Sequence, residues 1–174
     1  MIRTATLATA AAVLALAGPA AAAAPTAPAA SVQTPADPGV SVEAVRGWLT
    51  SNGGVVSPVS RTDGETWIRI DDEPLTWMIF FYGCRDDVCG DLQYAASFSN
   101  PTITQEMVND WNRDRRFLKA FFIPGEAGGD NTAMVQYDVL AQPGGVDQLT
   151  DHTALWLSLL TTFATAVGYM APAE

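Results

Sequence analysis

The segment Leu75-Thr-Trp-Met-Ile-Phe-Phe-Tyr82 constrains the fold most. Seven of its eight residues are apolar or aromatic, and turn chemistry bounds it on one side, in Asp71-Asp72-Glu73-Pro74. So continuous a run reads as a central strand, shielded at least in part on both faces. Flanking segments supply neighbours for it. Val55 to Ser60 and Thr66 to Ile70 are strand-like and separated by Thr62-Asp63-Gly64-Glu65, a hairpin-turn sequence. Leu92 to Phe98 alternates, with Leu92, Tyr94, Ala96 and Phe98 on one face and Gln93, Ala95 and Ser97 on the other. That period of two suits an antiparallel sheet with one wetter side. Two further strands are expected at Phe117 to Ile123 and Thr132 to Leu140, joined by the loop Pro124 to Asp130.

Helices are expected at three places. Ser41 is placed to cap one running to about Asn52, with Val42, Val45, Trp48 and Leu49 at helical spacing and Gly53-Gly54 as its stop. Thr102 and Gln105 form a candidate capping box for a second, ending near Asp114. Val146 to Tyr169 carries a long apolar stripe through Leu149, Trp156, Leu160 and Phe163. The expected class is α+β: an antiparallel sheet of about five strands with flanking helices, in the order α-β-β-β-β-α-β-β-α.

The N-terminus reads as an address. Met1-Ile-Arg3 is a positive start, Ala5 to Ala17 an apolar run, and Ala20 to Ala24 a set of small-residue cleavage sites. The run is too short for a membrane span, which needs about 20 residues, and no Cys lies near the cleavage region to make a lipobox. The expected organisation is a signal peptide at 1–23, a disordered Ala/Pro-rich leader at 24–40 and a single domain at 41–171. The expected location is periplasmic or secreted.

Export sets the reading of Cys84 and Cys89, the only cysteines. They flank a polar four-residue turn between strand-like segments, so the expected state is a disulfide across a hairpin. A redox pair is the alternative, but neither Cys-x-x-Cys spacing nor a helix N-terminus accompanies them.

Charge excludes some partners. The 174-residue chain has a net charge of −10, which argues against non-specific binding of nucleic acid or anionic membrane. Arg113, Arg115, Arg116 and Lys119 lie within seven residues and no base follows Lys119. Trp111, Asn112, Arg113, Arg115 and Arg116 are therefore the candidate binding patch, an Arg-and-Trp cluster of the kind enriched at interfaces. The plainer account is that the bases complement a helix C-terminus and Trp111 is core.

Catalytic and metal chemistry find little footing. His152 is the only histidine, stands beside Asp151, and has Ser158 too far along the same helix to serve as a nucleophile. With one His and two Cys the chain cannot make a four-ligand Cys/His zinc site of its own. The acids at Asp71-Asp72-Glu73 and Asp86-Asp87 do not form a calcium loop, and the loop Gly125 to Gly129 lacks the ending of a phosphate loop. No enzyme activity, metal or cofactor is expected.

Several elements together carry a family resemblance: Phe81-Tyr82-Gly83-Cys84 with Cys89-x-x-Leu92-Gln93, Asn109-x-Trp111-Asn112-x-x-x-Arg116-Phe117, Asp138-Val139 before Gly144-Gly145, and Trp156 with Phe163. In these the chain resembles the YbjN-domain family of bacterial sensory-transduction regulators, and its paired cysteines look like an exported branch of it. The resemblance implies a fold similar to type III secretion chaperones, which bind other polypeptides and are often dimers, and it implies no catalytic residue. The expected function is thus an exported, non-catalytic protein-binding or regulatory module with a protein partner or a homodimer. The alternative is a carrier or receptor for a small anionic or apolar ligand, held in a closed pocket between the sheet and the last helix.

Overall fold

A computed structural model describes residues 39–171. The expected signal peptide and nearly all of the expected leader lie outside the described residues. The elements run β1 (Val40–Ser41), α1 (Val42–Ser51), β2 (Val55–Val56), β3 (Ser60–Thr62), β4 (Glu65–Asp72), β5 (Leu75–Arg85), β6 (Val88–Asn100), α2 (Gln105–Asp114), β7 (Lys119–Ile123), β8 (Asn131–Leu140), a 3-10 turn (Gly145–Gln148) and α3 (Leu149–Ala166). The class is α+β as expected. The sheet has eight strands rather than about five, all pairings are antiparallel, and its order is β2-β4-β5-β6-β8-β7, with β1 beside β6 and β3 beside β4.

The extra strands have local causes. Pro58 lacks a donor for the ladder, so the expected strand 55–60 divides into β2 and β3. Between them Ser57 keeps contact with β4: its N–H donates to Arg69 O at 2.9 Å and its hydroxyl accepts from Arg69 N at 2.9 Å. At the other end, Val40 pairs with Cys89 immediately before α1 begins. Ser41 occupies the N-cap position but makes no side-chain cap; Val42 N–H instead donates to Asp87 O at 3.1 Å. The α2 cap also differs from expectation. Thr104, not Thr102, accepts from Met107 N, while Thr102 directs both its N–H and its hydroxyl to Asn100 Oδ1.

The helices share one face of the sheet. Ile68, Trp77, Ile79, Leu92, Tyr94 and Val135 are buried there with Val45 and Leu49 of α1, Val108 and Trp111 of α2, and Trp156, Leu160 and Phe163 of α3. At its centre Trp77 stacks on Tyr94 with centroids 5.6 Å apart, and Trp156 tilts against both at 6.1 and 5.7 Å. Each such side chain contributes roughly 1.5–3 kcal/mol by leaving water. The strand β5 is central, as expected, but covered on one side only. Its burial alternates from Leu75 to Tyr82, so Thr76, Met78, Phe80 and Tyr82 face away from all three helices.

Cys84 and Cys89 form the expected disulfide. They close the β5–β6 hairpin, where Asp86 and Asp87 both adopt positive φ (48° and 64°), the backbone of a tight hairpin turn. Among the described residues no helix is long and apolar enough to cross a membrane.

Candidate binding surface

The sequence-nominated patch separates into an inner and an outer part. Trp111 is 4% exposed, its indole N–H donates to Leu118 O at 3.2 Å, and its ring meets Phe163 edge-on at 4.9 Å. Asn112 bonds Ala120 through both amide atoms: Nδ2 donates to Ala120 O and Oδ1 accepts from Ala120 N, each at 2.9 Å. These two side chains hold α2 against the outer edge of β7 and offer no free group to a partner. Such closure is what an edge strand needs to avoid pairing with another chain.

The arginines divide in turn. Arg113 forks between Asp110 and Asp114, which raise its guanidinium above its ordinary range and lower the Asp114 carboxyl in return. Arg115 lies over the Trp111 ring, 5.8 Å from its centroid, and Arg116 over Phe117 at 4.9 Å. Neither has a carboxylate partner among the described residues. Phe117 itself adopts φ 74°, and Leu118 N–H donates to Arg116 O at 3.0 Å, a γ-turn that turns the ring outward until it is 54% exposed. A non-glycine residue held this way stores strain, the kind found preferentially at functional sites. Arg115, Phe117, Lys119 and Phe121 line a shallow groove of about 340 Å³ there.

This groove opens onto the uncovered side of the sheet, the sheet face that the sequence reading offers as a binding surface beside the Trp111 patch. Its residues are set by register: Arg69 pairs with Met78, Met78 with Ala95, Ala95 with Gln136 and Gln136 with Lys119, and the neighbouring row runs Trp67, Phe80, Gln93, Asp138. Phe121 and Ile123 of β7, both 45% exposed, lie on the same side. Met78, Phe80, Ala95 and Met134 border a depression of about 300 Å³. The charges here pair within the plane: Arg69 with Asp71 at 2.7 Å, Lys119 with Asp138 at 2.9 Å. Gln93 also donates to Asp138 at 2.7 Å, and this bond, with Lys119, holds the Asp138 carboxyl below its usual range. Partial burial, then the charges of Glu65 and Asp138, push the Tyr82 hydroxyl up.

No such continuity supports the other chemistries. The His152 Nδ1 meets the Tyr137 hydroxyl at 2.7 Å. Among the described residues no group of three or more His, Cys, Asp or Glu could hold a metal ion. The closed pocket expected of a carrier, between the sheet and α3, is occupied by Trp77, Tyr94, Trp156 and Phe163. The nearest cleft, about 510 Å³ and lined by Trp48, Leu157 and Met170, is open to solvent, and its Asp72 already accepts from Trp77 Nε1 at 2.7 Å.

Comparison with known proteins places the chain. A search of curated proteins finds no match. Among solved structures the crystal structure of YbjN from E. coli is similar, at 12% identity over 71% of this chain and 90% of that one, with a TM-score of 0.48. The YbjN family, described as "Putative bacterial sensory transduction regulator", matches residues 41–168, nearly all of the described domain. The chain is therefore a member of the YbjN family.

Proposed function

We propose that this protein is an exported, non-catalytic protein-binding module that works in the periplasm or after secretion. In this reading residues 1–23 direct export, 24–40 form a leader, and 41–171 are the working domain. The observation that carries it is the uncovered side of the sheet. Among the described residues Trp67, Met78, Phe80, Tyr82, Phe121 and Met134 lie there with no helix against them, interleaved with Gln93, Gln136 and two ion pairs, and a surface that mixes large apolar groups with polar ones in this way is characteristic of an interaction site. Arg115 and Phe117 extend it at the β7 margin, and Arg115 and Arg116 have no carboxylate partner among the described residues, so a partner with acidic residues beside an apolar segment fits best.

The test is mild cross-linking in cells, isolation of the mature protein from the periplasm, and mass spectrometry of what accompanies it. A protein held at constant stoichiometry, and lost from Phe80→Lys, is the expected result. Capture of nothing by the wild type, or equal capture by the variant, removes this surface as the binding site.

A further inference from the structure

A second recess lies on the side of the sheet that the helices cover. The C-terminal end of α1, the β4–β5 turn and α3 wall the open cleft of about 510 Å³, a size typical of small-molecule sites. Most of its lining is apolar: Ile70, Leu75 and Trp77 are buried there, and Trp48, Leu157 and Met170 are half-buried.

Every source of charge at this cleft is negative. Asp72 and Glu73 are the ionisable residues that line it, and neither has a cationic partner among the described residues. Asn52, Gly53 and Gly54 bring in the C-terminal end of α1, which carries no base in its last turn, so the helix dipole adds partial negative charge with nothing to offset it. Asp72 is half-buried, and its Oδ2 accepts from the Trp77 indole N–H at 2.7 Å, a neutral donor that leaves the charge of the carboxylate in place. A carboxylate withdrawn from water is ordinarily paired with a cation. Here the protein concentrates negative potential on an apolar recess and supplies no countercharge. Apolar walls take up hydrocarbon, and an indole such as that of Trp48 attracts a positive charge to its face. A bare metal ion is a poor match, because two carboxylates beside apolar side chains give too few oxygen ligands.

We infer that this cleft binds a small organic cation, an ammonium group on an aromatic or aliphatic body. The body lies against Trp48, Leu157 and Met170 and the charge is held toward Asp72 and Glu73. Because the cleft is open, the ammonium keeps part of its hydration, and no closed pocket is required. The site is on the opposite side of the sheet from the proposed protein-binding face, and each reading stands or falls without the other.

NMR titration of the oxidised mature protein with phenethylammonium, 2-phenylethanol and phenylacetate is the test, read at the indole N–H signals of Trp48 and Trp77. The three probes share a ring and differ in charge. Phenethylammonium should move both signals and bind about tenfold more tightly than 2-phenylethanol, with phenylacetate weakest. Added salt should narrow the difference. Asp72→Asn keeps an acceptor for the Trp77 indole and should remove most of the preference for the cation; Glu73→Gln, at an exposed position that does not endanger folding, should reduce it about threefold. Equal binding of the three probes, tighter binding of the neutral or anionic one, no shift of either signal through the millimolar range, or a preference that survives both substitutions overturns the inference.

Discussion

The side chain of Asn112 pairs with the main chain of Ala120 as a neighbouring strand would, one amide donating and one accepting, both at 2.9 Å. A helix residue thereby ends the sheet. Asn112→Leu removes both bonds and leaves the Ala120 N–H and C=O without partners near the surface. The expected loss is about 1–3 kcal/mol in urea unfolding, with increased self-association of the freed edge seen by light scattering. Unchanged stability would show that water replaces the side chain at no cost.

On the proposed binding reading, the outer cations act through charge and Arg113, held by Asp110 and Asp114, does not. Arg115→Ala with Arg116→Ala should weaken capture of an acidic partner and flatten its dependence on salt, whereas Arg113→Ala should leave both nearly unchanged. Binding titrations at low and physiological ionic strength separate the two variants.

Burial pushes the Tyr94 hydroxyl up to about 12, against an ordinary 10.0, and its bond to Thr153 at 2.9 Å offsets only part of that. The raised value favours the neutral phenol in the folded state. Its contribution is complete below pH 10 and declines as pH rises toward 12, because the unfolded chain releases the proton first. Two units correspond to about 2.7 kcal/mol. Tyr94→Phe should flatten this part of the stability profile, measured by urea unfolding across that range.

Cys84→Ser with Cys89→Ser opens a six-residue loop and should cost about 2 kcal/mol by the chain-entropy account. Because Val40 pairs with Cys89 and Val42 bonds to Asp87, amide exchange should quicken in β1 and the first turn of α1 as well as in the hairpin. Exchange confined to the hairpin would show that β1 docks independently of the disulfide.

Much of this fold is written in local chemistry. Alternation in Leu92 to Phe98, the Asp63-Gly64 turn and the apolar stripe of α3 each locate an element, and a short polar turn between two cysteines marks the disulfide. The continuous apolarity of Leu75 to Tyr82 is ambiguous, since burial on both sides and an apolar surface awaiting a partner produce the same run of residues. Only the tertiary arrangement, with the three described helices on one side, distinguishes them. Trp111 and Asn112 are conspicuous for a reason the spacing does not reveal. Their partners, Leu118 O and Ala120, are main-chain groups, which leave no mark in a sequence.

With helices on a single side, neighbouring residues of β5 answer to different demands. Trp77, Ile79 and Phe81 must fit a volume, whereas Met78, Phe80 and Tyr82 need only suit whatever lies against them. In a mutational scan along this strand, loss of folding and loss of association should alternate with a period of two. On the proposed binding reading, every second residue is free to change what the surface recognises while the core stays as it is.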